Sequence, residues 1–396
     1  MPLSTSLLQL FANYIALDTS LADGKNYVVA LDMLEPVLQR CGFSTTRIPI
    51  PVSIAHAENR INLIAKLTSP QPLAPTLIMY NHMDVVPASY PDAYKLVIKN
   101  GDAYGRGTSD HKGSTIALLD AFTKIDASKL RFNIIFLLTT DEETEQYQQL
   151  KYLEKYLNFD QSSTIFFDPD TFAGGISVAH PGVWEFIISA KGKSSHSAAS
   201  HLGHNAIETL LELFPLLQSY KKSAEQQHSA IPSFPQNGVS QQVVSRCNVN
   251  MISGGSAGNV VPDTAEMVVD TRFIPEMDVQ IERKKLLKKL DQAFANLRTS
   301  GVQLAVTDLT ILDGYCSYHE EFDVLEKHLR AVSGEGGQYS VMGSTPLAQW
   351  AKELGVPHFG LGVARYESNM HGIDEHCSLQ DIEVLSEVIV RFVTKD

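Results

Sequence analysis

Cysteine is scarce in this chain and never clustered. Cys41, Cys247, Cys316 and Cys377 are the only four in 396 residues, and no two are close in sequence. That excludes a Cys-x-x-Cys zinc or redox motif and leaves ordinary reduced thiols. Long apolar runs are missing as well; none approaches the length needed to span a membrane. The opening Met-Pro-Leu-Ser-Thr-Ser has neither a basic segment nor a continuous apolar core, so no secretory leader is expected and the cytoplasm is the expected location. Basic residues are outnumbered, 32 Lys plus Arg against 45 Asp plus Glu, for a net charge of −13. The densest basic stretch, Arg283-Lys284-Lys285 with Lys288-Lys289, is spread along one predicted helix and reads as a solvated face. Nucleic acid and membrane are therefore not expected partners, and the charge disfavours long-range steering of anionic substrates.

What is present suits a soluble globular chain: 44% hydrophobic and 19% charged residues. The length exceeds one ordinary core and points to two domains. Leu7, Leu8, Phe11 and Ile15 recur at helical spacing. Strands are predicted at 60–67, 76–80, 132–139 and 164–167, alternating with helices at 26–41, 113–125 and 146–157. Such alternation, with near-continuous apolar strands, predicts an α/β domain with a mostly parallel, buried sheet. From about residue 181 the pattern becomes antiparallel, with 183–191 alternating apolar and polar. A helix at 205–220, a polar loop at 223–237, strands at 243–252 and 266–273, a charged helix at 278–297 and a strand at 302–307 predict a small α+β (ferredoxin-like) sandwich. After 309 the α/β pattern resumes, with helices at 322–332, 346–354 and 379–392. We expect a catalytic domain at 1–180 and 309–396, interrupted by an inserted domain at 181–308.

Ligand-grade side chains collect just past the apolar strands, where α/β sheets bind ligands. His82 and Asp84 share one strand face, so the carboxylate can orient the imidazole. Asp110 follows Tyr104-Gly-Arg-Gly107 and precedes the helix that Gly113 opens, where a carboxylate also serves as an ordinary helix cap. Asp141-Glu142-Glu143 repel one another unless a cation or a helix dipole compensates. Asp168-Pro-Asp170 ends another strand, and His371 stands in Asn369-Met-His371-Gly. Two imidazoles, several carboxylates and no thiolate suit zinc, manganese or cobalt.

In order and spacing these motifs resemble a family of co-catalytic zinc hydrolases that includes acetylornithine deacetylase, succinyl-diaminopimelate desuccinylase, aminoacylase, carboxypeptidase G and several dipeptidases. The resemblance runs from about residue 80 to 378. It implies two divalent metal ions, zinc first and cobalt or manganese next. His82 and Asp168 would bind one ion, Glu143 and His371 the other, and Asp110 would bridge them. Asp84 would orient His82, and Glu142 would act as general base toward the bridging water. The inserted domain would be the family's lid and dimerisation domain, giving a homodimer. Its His196, in Gly192-Lys-Ser-Ser-His196, would stabilise the oxyanion, with Asn259 and Arg272 contacting substrate. On residue pattern alone His201 or His204 could replace His196, and Arg272 could equally pair with Asp270 or Glu266.

The implied activity is removal of an acyl group from a small N-acyl-amino acid. Where relatives carry Gly-Gly-Thr followed by Asp in a pocket loop, this chain has Gly343-Ser344-Thr345-Pro346 with no acid, so Ser344 and Thr345 are expected to touch substrate. Asp168, where the deacylase and carboxypeptidase members usually place Glu, is more typical of aminopeptidase and dipeptidase members, so a dipeptidase acting on small peptides, or a carboxypeptidase of the same family, is the alternative reading. Arg272 or Lys112 is a candidate to capture a substrate carboxylate. A non-catalytic metal-binding scaffold is the alternative from another class.

Overall fold

The computed structural model describes every residue except 1, 21, 22, 89, 145, 146, 237, 298–300, 342, 344 and 396. The chain forms two compact units. The first comprises Met1–Val178, Ser317–Tyr339 and Thr345–Asp396; the second comprises Ala179–Cys316 and Ser340–Ser344.

In the first unit the central sheet runs in the order Ser44–Pro49, Ile61–Leu67, Asn133–Thr139, Thr76–His82, Thr164–Asp168, His358–Gly360 and the first residues, 176–178, of the strand Ile176–His180. Its centre is parallel: Thr76–His82 pairs in parallel with both Asn133–Thr139 and Thr164–Asp168, and Thr164–Asp168 with His358–Gly360. The flanking pairs are antiparallel. Thr76–His82 is buried at every position, as a strand covered on both faces must be. Ser44–Pro49 escapes the sequence reading because it is a polar flanking strand, with a single buried residue, Ile48. The strands Ile176–His180 and His358–Gly360 are too short to show a period.

The helix Lys112–Lys124 is buried along its first eleven residues and packs on the helix Leu379–Val393. Asp120 lies buried between them and accepts a hydrogen bond from Ser386 Oγ at 2.6 Å. Residues three and four apart on Leu379–Val393 (Ile382, Leu385, Ile389, Phe392) turn into this core.

The second unit is built on a four-stranded antiparallel sheet in the order Arg246–Gly254, Thr264–Phe273, Gly182–Lys191, Gln303–Leu312. Along Gly182–Lys191 the residues Trp184, Phe186, Ile188 and Ala190 are buried and the intervening ones half-buried, so the strand turns one face to a core. Leu210, Leu217, Leu286 and Leu290 of the helices fill that core. The predicted helix at 205–220 is two helices, Ala206–Leu211 and Phe214–Ala224, with Pro215 in the first turn of the second, where proline is tolerated. The predicted loop at 223–237 contains a strand, His228–Pro232, paired with Gln242–Val244. Among the described residues, no helix is long and apolar enough to cross a membrane.

Candidate metal centre

The parallel strands of the first unit deliver their last residues to one place. His82 ends Thr76–His82, and Asp141 to Glu143 follow Asn133–Thr139. Asp170 lies two residues beyond Thr164–Asp168. Asp110 and His371 join them from loops. His82 is fully buried; its Nε2 lies 3.1 Å from Asp110 Oδ1 and 3.6 Å from Asp170 Oδ2. The other oxygen of Asp110 is 2.8 Å from His371 Nε2, which is also 3.3 Å from Glu143 Oε2. One carboxylate therefore stands between two imidazoles. Two triads follow, His82–Glu142–Asp170 and Asp110–Glu143–His371, with ligand atoms inside each within 4.8 Å of one another.

Asp84 holds the cluster from behind. Its Oδ1 lies 3.4 Å from His82 Nδ1, and its Oδ2 accepts the Glu143 N–H at 2.9 Å. The ring of His111 stacks on that of His82, 4.7 Å between centroids and 10° between planes. Asp141 adopts a left-handed backbone (φ 64°) that turns the chain so that Glu142 and Glu143 face the centre. Both of its carboxylate oxygens lie 2.8 Å from Arg60 Nε, and Gln149 Nε2 donates to Oδ2 at 2.7 Å.

The electrostatics are those of a crowded anionic pocket. Burial pushes the Glu142 carboxyl well above its ordinary value; the His82 charge opposes this, and Asp170, Asp110 and Asp84 add to it. Burial and then the Asp110 charge raise Asp170 to about 7. Burial alone would lower His82, but Asp110, Asp170 and Asp84 outweigh it and raise the imidazole well above 6.5. Asp110, then Glu143, lift His371 to about 10. Among the described residues the buried atoms His82 Nε2, Asp110 Oδ1 and Glu143 Oε1 make no aligned hydrogen bond, an expensive state that divalent cations would relieve. Nitrogen and oxygen donors without thiolate fit zinc, cobalt or manganese.

Of the residues expected from sequence, His82, Asp84, Asp110, Glu142, Glu143 and His371 gather here. Asp168 is buried beside them but faces elsewhere: its Oδ2 accepts from Thr345 Oγ1 at 3.2 Å and lies 3.6 Å from His358 Nε2. The carboxylate that meets His82 is that of Asp170. The run Asp168-Pro-Asp170 offered both acids, and only the path of the chain after the strand separates them. Thr345 also caps the helix Pro346–Leu354; Ser344 lies outside the described residues. Lys112 is buried and bound to the carbonyls of Tyr14 and Leu17 at 3.0 and 2.8 Å, so it is not free to capture a substrate.

In the second unit His196 and Asn259 come together, because Ser195–His196 pairs with Val260–Val261 and Ser197 N–H donates to Asn259 O at 2.9 Å. His196 Nδ1 accepts the Ala198 N–H at 3.1 Å and its ring is exposed. Arg272 is paired with Asp270, with Nη2 2.9 Å from Oδ2. Sequence reasoning missed Arg60 and His111, whose roles depend on contacts no local pattern announces.

Comparison with known proteins gives the family and the fold. The family model described as peptidase family M20/M25/M40 matches residues 78–395. A Staphylococcus epidermidis protein named probable succinyl-diaminopimelate desuccinylase is 34% identical over 242 residues, 56% of this chain and 58% of that protein. The matched segment thus spans little more than half the length of that relative. Acetylornithine deacetylase of Pasteurella multocida is 27% identical over 406 residues, covering 98% of each chain. The crystal structure of a tripeptidase from Staphylococcus aureus superposes with a TM-score of 0.76 at 18% identity, covering 99% of this chain and 98% of that one.

Proposed function

The chain belongs to peptidase family M20/M25/M40, and from that premise we propose that it is a two-metal amidohydrolase that removes the acyl group of a small N-acyl-amino acid. The observation that carries this is Asp110 standing between His82 and His371. His82, Asp110 and Asp170 would hold one ion, and Asp110, Glu143 and His371 the other. Divalent ions at these positions, zinc first and cobalt or manganese next, supply an acidified water and a polarised scissile carbonyl when bound. Asp84 keeps the His82 ring in the tautomer that offers Nε2. Glu142 takes the proton of the attacking water and returns it to the leaving amine nitrogen. His196 is the proposed donor to the oxyanion, with Asn259, Arg272 and Thr345 as substrate contacts. The proposed setting is a cytoplasmic homodimer assembled through the second unit, which sedimentation would test.

The names of the desuccinylase and deacetylase relatives support the acyl-amino-acid substrate. The second reading is a dipeptidase or carboxypeptidase of the same family; an aspartate beside His82, Asp170, favours the dipeptidase. Assay of the purified protein, with zinc or cobalt added, against N-acetylornithine, N-succinyl-diaminopimelate and a panel of di- and tripeptides separates them. Turnover of an acylated amino acid is expected; turnover of peptides alone would replace the first reading by the second. Glu142→Gln is expected to keep its metal and its melting temperature while kcat falls about 10²–10⁴-fold. A variant with undiminished turnover would remove Glu142 as the base. Active protein without bound metal would end the two-metal scheme.

A further inference from the structure

Glu375 belongs to none of the clusters that pointed to the site, yet it is fully buried beneath them. Its Oε1 accepts the backbone N–H groups of Ser109 at 3.1 Å and Asp110 at 3.2 Å, and the Ser109 hydroxyl at 3.0 Å. Its Oε2 accepts the Gly107 N–H at 3.0 Å and Arg106 Nη1 at 2.6 Å. Even its main-chain carbonyl is used, by the Gly105 N–H at 3.0 Å and Thr108 Oγ1 at 3.2 Å. The loop from Gly105 to Asp110 is therefore wrapped around one carboxylate, an arrangement of converging backbone donors that holds an anion. Gly107 allows the wrap: its φ is +86°, and a Cβ there would lie 2.8 Å from Val85 Cγ1. Arg106 extends the clamp, because its Nη2 donates to the His371 carbonyl at 3.0 Å.

Two residues of the Asp110–Glu143–His371 triad thus hang on Glu375, one through its own backbone and one through Arg106. His82 has a separate support, the end of the buried strand Thr76–His82, and Asp170 follows closely on another strand. We propose that Glu375 is a positioning residue that fixes the Asp110 carboxylate relative to His371, and so sets the affinity of the second metal position and its coupling to the first. The inference rests on the two-metal reading above. Glu375→Gln preserves shape but turns an –NH2 group toward one set of the converging donors, so one side of the clamp must open.

The test is metal binding, not turnover. Metal-free protein is titrated with Co2+ by equilibrium dialysis, and the visible and spin-resonance spectra are followed at one and two equivalents. In Glu375→Gln the first equivalent, which shares Asp110 but keeps His82 and Asp170 on their own supports, is expected to weaken clearly less than the second. The second is expected to weaken tenfold or more, with loss of the magnetic coupling between the two ions. Unchanged second-site affinity with an unchanged spectrum overturns the proposal. So does an equal loss at both sites in step with the melting temperature, which is the mark of a purely structural residue. If Glu375→Gln fails to fold, Arg106→Lys carries the test. It keeps the charge at Glu375 and gives up the donor to His371, and second-site affinity equal to wild type overturns the proposal. Wild-type protein that binds no pair of ions would instead overturn the two-metal reading, so the two failures are distinguishable.

Discussion

Asp168 and Asp170 are separated by one proline and have different surroundings. Asp168 is committed to Thr345, and through it to the start of the helix Pro346–Leu354, while Asp170 reaches the imidazole of His82. Asp168 Oδ1 also accepts the Asp170 N–H at 3.1 Å, so the first acid shapes the turn that presents the second. Removing each should therefore do different things. Asp170→Asn is expected to lower metal affinity about 10–100-fold or more with little change in the melting temperature of the metal-free protein. Asp168→Asn is expected to lower that melting temperature by a few degrees, about 1–2 kcal/mol of lost hydrogen bonding, while retaining both ions. Metal dialysis and thermal unfolding of the two variants check this, and the reverse pattern would restore Asp168 as the ligand. The type of residue was readable at this scale; which of two acids turns inward was not, because it depends on the path taken after the strand ends.

At the scale of elements, the ends of apolar strands were legible and the clamps that hold the following loops were not. Thr76–His82 and Asn133–Thr139 announce themselves by apolar runs bounded by polar residues, and His82 and the Asp141–Glu143 acids follow at their ends. Arg60 meets Asp141, and Glu375 meets the Gly105–Asp110 loop, only because distant segments pack together, and no period or spacing encodes such meetings. The Arg60–Asp141 pair is buried, each side chain 8% exposed, and it stabilises a left-handed residue directly before the proposed base. Arg60→Met would leave the Asp141 carboxylate buried with Gln149 as its remaining side-chain donor among the described residues. Breaking one half of such a pair costs about 3–5 kcal/mol. Urea unfolding is expected to show a loss of that order. The double variant Arg60→Met with Asp141→Asn is expected to recover part of it, since the charge left behind is then gone. A double variant no more stable than Arg60→Met alone would mean the pair is not the source of the loss.

For the molecule as a whole, the order of motifs pointed to the fold class, an α/β body interrupted by an α+β unit, because strand–helix alternation and antiparallel patterning are local signals that survive without tertiary information. What the pattern left open is how so many acids share one pocket in a chain of net charge −13. In chelated protein, protons are the cations left to offset these acids. Asp170, raised to about 7, and His371, raised to about 10, bind protons in the folded protein that the unfolded chain has already released. When the folded state binds more protons, stability falls as pH rises. The contribution from Asp170 is complete below its unfolded value near 4 and is lost as pH climbs through about 7. That from His371 is complete below about 6.5 and is lost as pH climbs through about 10. These two groups therefore act to lower the melting temperature of chelated protein from pH 5 to pH 9. Metal ions compete with those same protons, so loaded protein should gain over the same range. With free metal at a hundred times the dissociation constant the gain is about 2.7 kcal/mol per site. Paired thermal scans with and without chelator, at pH 5, 7 and 9, are expected to diverge as pH rises. Curves that stay parallel would mean that the carboxylates and imidazoles do not exchange protons for metal, and the centre would have to be sought elsewhere in the molecule.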